Sequence, residues 1–146
     1  MNVQRLFVLP TLLRGLRTDR QLSQKALAVS AAIDQSRLCA VEKGRSAQPD
    51  HQLLERLASA LELTPGEQKK LIWAREHDKL IVELERSALA PAADAVSQLL
   101  RATEFLSEEE LAGLAFEIKS VGDSKRRLRA LTRAPRTTTL TEGGPL

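Results

Sequence analysis

Tyrosine is absent, cysteine occurs once (Cys39) and histidine twice (His51, His77) among 146 residues. A lone thiol excludes a disulfide framework within the chain and points to a reducing compartment. So few imidazoles and thiols leave little material for acid–base chemistry or transition-metal ligation. No nucleophile–base or metal-ligand arrangement is present, so the expectation is a non-enzyme with no metal and no cofactor. No apolar run approaches the ~18 residues of a membrane-spanning helix. The opening MNVQRLFVLPTLLR is closed by Arg14 without an A-x-A-like cleavage site, so a secretory leader is not expected and a cytoplasmic protein is. Aromatics, at 3%, are scarce as pocket-formers, so ligand sensing stays open but nothing points to an inducer. Strand signals are missing as well, with no sustained apolar–polar alternation and no Asn-Gly or Asp-Gly turn.

Charge is plentiful but uneven. Residues 1–50 carry eight Lys/Arg against four Asp/Glu, residues 51–123 eight against fourteen, and residues 124–146 six against one. Two basic ends around an acidic middle fit a polyanionic partner, and equally fit basic side chains that merely solvate helices.

Helical periodicity runs along the chain, with stops between. Leu12, Leu13 and Leu16 line a first helix entered at Pro10–Thr11 and ending near Asp19–Gln21. Ser23 is placed to cap a short second helix, Gln24–Ser30, with Leu27 and Ala28 inward. Asp34 is placed to cap a third helix reaching Lys43, with Gly44 as its left-handed C-cap. Asp50 follows a polar loop and caps a fourth helix, along which Leu53, Leu54, Leu57, Ala58 and Leu61 recur at three and four. Thr64-Pro65-Gly66-Glu67 opens a fifth, to about Arg86, with a capping box and a proline at the first helical position. Trp73, His77, Leu80, Ile81 and Leu84 share its stripe. A sixth helix spans about Pro91–Glu104. Ser107-Glu108-Glu109-Glu110 opens a seventh, which Gly122 closes, and a basic helix of roughly Ser124–Thr132 follows. The fold expected is all-α, with a five-helix domain over 1–70, a helical region over 71–133 and a disordered tail over 134–146.

Two short helices joined by Ala31-Ala32-Ile33 make a helix-turn-helix geometry, which offers its second helix to a major groove. Helices this short cross steeply only around a small residue, and Ala28 stands there, above a plug of Leu27, Ile33, Leu38 and Val41. At ~100° per residue, Leu38 and Val41 mark the buried side of the third helix. Ser36, Ala40 and Lys43 fall nearly opposite, flanked by Gln35, Arg37 and Cys39. Short side chains admit close approach, glutamine pairs with adenine, arginine with guanine, and alanine touches the thymine methyl.

The run LRTDRQLSQKALAVSAAIDQSRLCAVEKGR, followed by LLERLASALEL, resembles the Xre or phage-repressor/Cro-like helix-turn-helix family over residues 12–63. The matching positions are Leu22-Ser23-Gln24, Leu27-Ala28, Ile33, Gln35-Ser36, Leu38, Val41-Glu42 and Gly44-Arg45. Ala32 stands where the family has glycine, which either puts an alanine in the left-handed region at about 1 kcal/mol or reshapes the turn. The resemblance implies a bacterial, phage or plasmid transcriptional regulator of double-stranded DNA, a repressor that occupies its operator. It implies base contacts from Gln35, Ser36 and Ala40, with Arg37 alongside, a phosphate contact from Gln24, and backbone contacts from Lys43 and Arg45. It also implies a structural ion pair between Arg17 and Glu42.

Proteins of this type bind palindromes as two-fold dimers, with half-sites ~34 Å apart. Leu80, Ile81, Leu84, Leu99, Leu100, Leu111, Leu114, Phe116 and Ile118 exceed what one layer over a small domain needs. They suit an intertwined homodimer or a larger monomeric core. Lys125-Arg126-Arg127-Leu128-Arg129 and Arg133 could touch phosphate, bind RNA or an acidic partner, or balance the acidic middle. Cys39 reads as a redox-sensitive group or a small tolerated side chain, and the two histidines as solvated or core-edge residues. The competing function is an antitoxin, or another protein-interaction module on the same scaffold, whose C-terminal helices cover a partner.

Overall fold

A computed structural model describes residues 3–45 and 49–133. A 3-10 turn, Val3–Leu6, precedes α1 (Leu9–Asp19), α2 (Gln24–Ser30), α3 (Gln35–Glu42), α4 (His51–Ala60) and α5 (Pro65–Glu85). A second 3-10 turn, Ala90–Ala92, then leads into α6 (Ala93–Ala102), and α7 spans Glu108–Arg133. The fold is all-α, with no strand among the described residues. The chain divides into two compact units, Met1–Ala102 and Thr103–Leu146.

In the first unit α1 packs against α3 and α5, and α2 against α3 and α4. Leu13, Leu27, Leu38, Leu57, Leu61 and Leu71 are fully buried in the main cluster. At ~1.5–3 kcal/mol for each buried leucine, this cluster dominates the packing of the four short helices. Ala28 is buried on α2, and the small side chain lets α2 and α3 approach closely.

Helices α1 to α4 share one way of stopping. After each, one residue has positive φ: Gln21 (55°), Ala32 (53°), Gly44 (66°) and Glu62 (52°). Each closes the paired bonds of a Schellman motif. Gln21 and Leu22 donate N–H to the carbonyls of Thr18 and Arg17, and Ala32 and Ile33 to Val29 and Ala28. Gly44 and Arg45 donate to Val41 and Ala40, and Glu62 and Leu63 to Ser59 and Ala58. Leu22, Ile33 and Leu63, the residues after the left-handed position, pack onto the main cluster. That contact offsets the left-handed cost at three non-glycine positions. Gly44 is required for a second reason, since a Cβ there would lie 3.3 Å from the Phe7 ring and 3.4 Å from Pro10.

The expected boundary at residue 70 falls inside α5. Leu71 and Ala74 belong to the main cluster, while Ile81, further along the same helix, packs with Val3, Leu6 and Ala93 in a second one. Ile81 is 0% exposed and Leu84 is half-buried against that cluster, so these two members of the expected dimer stripe are spent within the first unit. The sixth helix is shorter than its periodicity predicts, because Pro91 lies in the 3-10 turn that precedes it.

In the second unit Ser107 and Glu110 form a reciprocal capping box, Glu110 N–H to Ser107 Oγ at 3.2 Å and Ser107 N–H to Glu110 Oε2 at 2.8 Å. The two helices expected on either side of Gly122 are one continuous α7. An interior glycine costs only about 1 kcal/mol, and the Asp123–Arg126 ion pair spans the next turn. The expected tail, 134–146, lies outside the described residues.

Candidate nucleic-acid interface

Helix α3 presents two unlike sides. Leu38 and Val41 are buried against the main cluster. Gln35, Ser36, Arg37, Lys43 and Arg45 are exposed, and Cys39 and Ala40 are half-buried between them. The exposed members comprise an amide, a hydroxyl, a guanidinium and, at the C-terminal end, two further cations. Asp34 has the extended backbone of an N-cap, but its side chain accepts no hydrogen bond from the first turn. Arg37 lies 3.7 Å from Asp50, both side chains half-exposed. Asp50 also caps α4, accepting the Leu53 N–H at 2.7 Å.

The orientation of α3 is fixed from behind. Arg17 on α1 meets Glu42 through two parallel hydrogen bonds, Nε to Oε1 at 2.6 Å and Nη2 to Oε2 at 3.0 Å. Its remaining nitrogen, Nη1, donates to the Leu22 carbonyl at 2.8 Å. The Glu42 side chain is 0% exposed and that of Arg17 12%. Burial works to raise the Glu42 carboxyl, but hydrogen bonds from Arg17 and Gln24, with the charges of Arg17 and Arg14, hold it below its ordinary range. The same bond to Glu42 raises Arg17 against its own desolvation. Arg14 adds a bond to the Glu42 backbone carbonyl at 3.1 Å.

Gln24 does not stand apart from this cluster. It is half-buried, and its Nε2 donates to Glu42 Oε2 at 2.7 Å. The side chain at the start of α2 is therefore positioned by the same carboxylate that positions α3. Lys125, Arg126, Arg127, Arg129 and Arg133 are exposed on the C-terminal half of α7.

Three arginines and a buried polar chain do structural work that periodicity does not reveal. Arg20 joins α1, α4 and α5 by donating to the carbonyls of Leu16 and Leu61 and to the Glu67 carboxylate. Arg75 donates to the Pro49 carbonyl at 2.7 Å, and Arg101 to the Leu6 carbonyl at 3.0 Å. His77 Nδ1 lies 2.8 Å from Asp78 Oδ1, and its Nε2 lies 2.9 Å from Ser97 Oγ. That connectivity is the one a hydrolytic triad uses. Ser97 is 0% exposed, however, and His77 and Asp78 are buried with it, so no substrate reaches the hydroxyl. The chain pins α6 to α5, and His77 is a core residue rather than the core-edge one expected. The signal missed was its neighbour, since a His-Asp pair on an otherwise apolar stripe needs a buried partner.

Among the described residues no group of three or more His, Cys, Asp or Glu could hold a metal ion. None of their helices is long and apolar enough to cross a membrane. The family model of a helix-turn-helix domain matches residues 9–71. That match is consistent with the Xre-like resemblance read from residues 12–63. No curated protein and no solved structure matches the chain.

Proposed function

We propose that the helix-turn-helix domain at residues 9–71 binds double-stranded DNA in a sequence-specific manner, and that the chain is a cytoplasmic transcriptional repressor. It occupies a palindromic operator as a homodimer. The observation that carries this reading is the exposed side of α3, clamped from behind by Arg17 and Glu42. Gln35 and Ser36 read base edges from the first turn, and Ala40 lets the helix sit deep in the groove. The Arg37–Asp50 contact is of the half-exposed class worth ~0–1 kcal/mol, so turning the guanidinium toward a guanine costs little. Lys43 and Arg45 neutralise phosphates and supply affinity that falls with salt. Gln24, held by Glu42, is set to meet the backbone. Repression is then a binding equilibrium, with no bond made or broken and no cofactor or metal required.

The test is selection from random duplex DNA with the purified chain and with a Gln35→Ala/Ser36→Ala/Arg37→Ala variant. The wild type enriches a palindrome with half-sites ~10 base pairs apart, and the variant loses it. Wild-type binding that enriches no motif and only fades with salt would overturn groove readout.

A further inference from the structure

Helix α7 carries an apolar seam. Leu111, Leu114, Ile118, Val121, Lys125, Leu128 and Thr132 succeed one another at alternating steps of three and four residues. That is the a/d pattern of a coiled coil. No residue of α7 is buried, and Ile118, Val121 and Leu128 are 55%, 61% and 57% exposed. Two further features say what covers the seam. Charge is segregated along the helix, with five acids and one base over 108–123, then five bases and no acid over 124–133. The seam is also interrupted by one charged residue, Lys125.

We infer that α7 pairs antiparallel with α7 of a second copy of this chain. Ile118 faces Val121 of the second copy, Leu114 faces Lys125, and Leu111 faces Leu128. In this register the a positions Leu111, Ile118 and Lys125 meet the d positions Leu128, Val121 and Leu114, as antiparallel packing requires. The acidic half of each helix lies along the basic half of the other, which sets Glu108 beside Arg129 of the second copy at the edge of the seam. The Lys125 stem lies along Leu114 of the second copy, and its ammonium reaches toward Glu110 and Glu117, each within one turn of that leucine. A parallel pair would instead set Lys125 against Lys125 and bring like-charged ends together.

This deepens the homodimer reading above and rests on it for the presence of two copies, not for DNA binding. Sedimentation equilibrium of the full chain, without DNA, reads the association directly. A dimer is expected at micromolar concentration, and Ile118→Asp with Val121→Asp weakens it at least tenfold while the thermal unfolding of the first unit is unchanged. Orientation is read by disulfide trapping in a Cys39→Ser background. Mixed Leu111→Cys and Leu128→Cys chains cross-link, and neither does so alone. A monomeric wild type, a dimer indifferent to the aspartates, or cross-links between two Leu111→Cys chains would each overturn the inference. A dimer trapped as described but enriching no DNA motif would overturn the operator reading alone.

Discussion

Asp78 in the middle of α5 accepts the backbone N–H of Leu9 at 2.9 Å, and with its other oxygen that of Val8 at 2.8 Å. The first turn of α1 has no side-chain cap of its own, since Val8 stands at its N-cap. The cap comes from a side chain about 70 residues away in sequence. A carboxylate there also meets the positive end of the α1 dipole.

Asp78→Ala should therefore cost about 3 kcal/mol, because the buried Leu9 amide, the part-buried Val8 amide and the His77 ring all lose a charged partner. The loss is read as a lower urea midpoint at unchanged m-value. A change under about 0.5 kcal/mol, the range of ordinary surface substitutions, would show that solvent caps α1 equally well.

Glu42→Gln leaves Arg17 facing a neutral partner and should lower stability at pH 7 by about 3–5 kcal/mol. The pH dependence has a definite sign. Glu42 lies below its ordinary value of 4.5 in the folded chain, so its contribution is complete above that value and is lost as pH falls through the depressed folded one. The gap between wild type and Glu42→Gln thus narrows in acid. Paired urea titrations at pH 7 and below pH 4 check this, and a gap of constant size would rule out the ion pair as its source.

The left-handed C-caps give stabilising substitutions. The left-handed region costs a non-glycine residue ~1–2 kcal/mol, against ~0.4–1 kcal/mol of extra unfolded-chain freedom when glycine replaces alanine. Ala32→Gly should then raise stability by about 0.5–1 kcal/mol, read as a higher melting temperature. Gly44→Ala should do the opposite, and more strongly, since its Cβ also crowds Phe7 and Pro10.

Separate variants on α3 and just beyond it should sort specificity from affinity. Gln35→Ala loses discrimination at one base pair, by about 1–3 kcal/mol. Lys43→Ala or Arg45→Ala weakens binding to all duplexes alike and lowers the salt slope by about one. Titrations against the selected site and a scrambled one at several salt concentrations tell these apart. Equal losses from Gln35→Ala on both duplexes would remove it from the reading face.

Much of this was legible in the sequence, and the illegible parts have identifiable causes. Helix α2 and the caps Ser23, Asp50 and Thr64 follow from local chemistry that each carries within a few residues. The exposed face of α3 follows from Leu38 and Val41 alone. Helix ends at Gln21, Ala32 and Glu62 give no glycine signal, because the apolar residue after each replaces what glycine would have provided. Gly122 misleads in the opposite direction, as a breaker whose cost of about 1 kcal/mol is small enough for α7 to run through it. The arginine bonds of Arg20 and Arg75 and the His77–Ser97 link are long-range choices among similar side chains, on which periodicity is silent. Ile81 and Leu84 look like dimer residues until the Val3–Leu6 turn is seen to cover that stretch of α5.

The dependence of α1 on Asp78 bears on how this protein can be divided. The stretch recognisable as a helix-turn-helix domain ends at residue 71, seven positions short of the carboxylate that closes its first helix. Excised at that edge, the fragment would begin its leading helix with two unmet amides and would also lose Ala74 from its core. The portable unit of the sequence and the smallest piece that stands by itself therefore have different borders, and α5 is where they part.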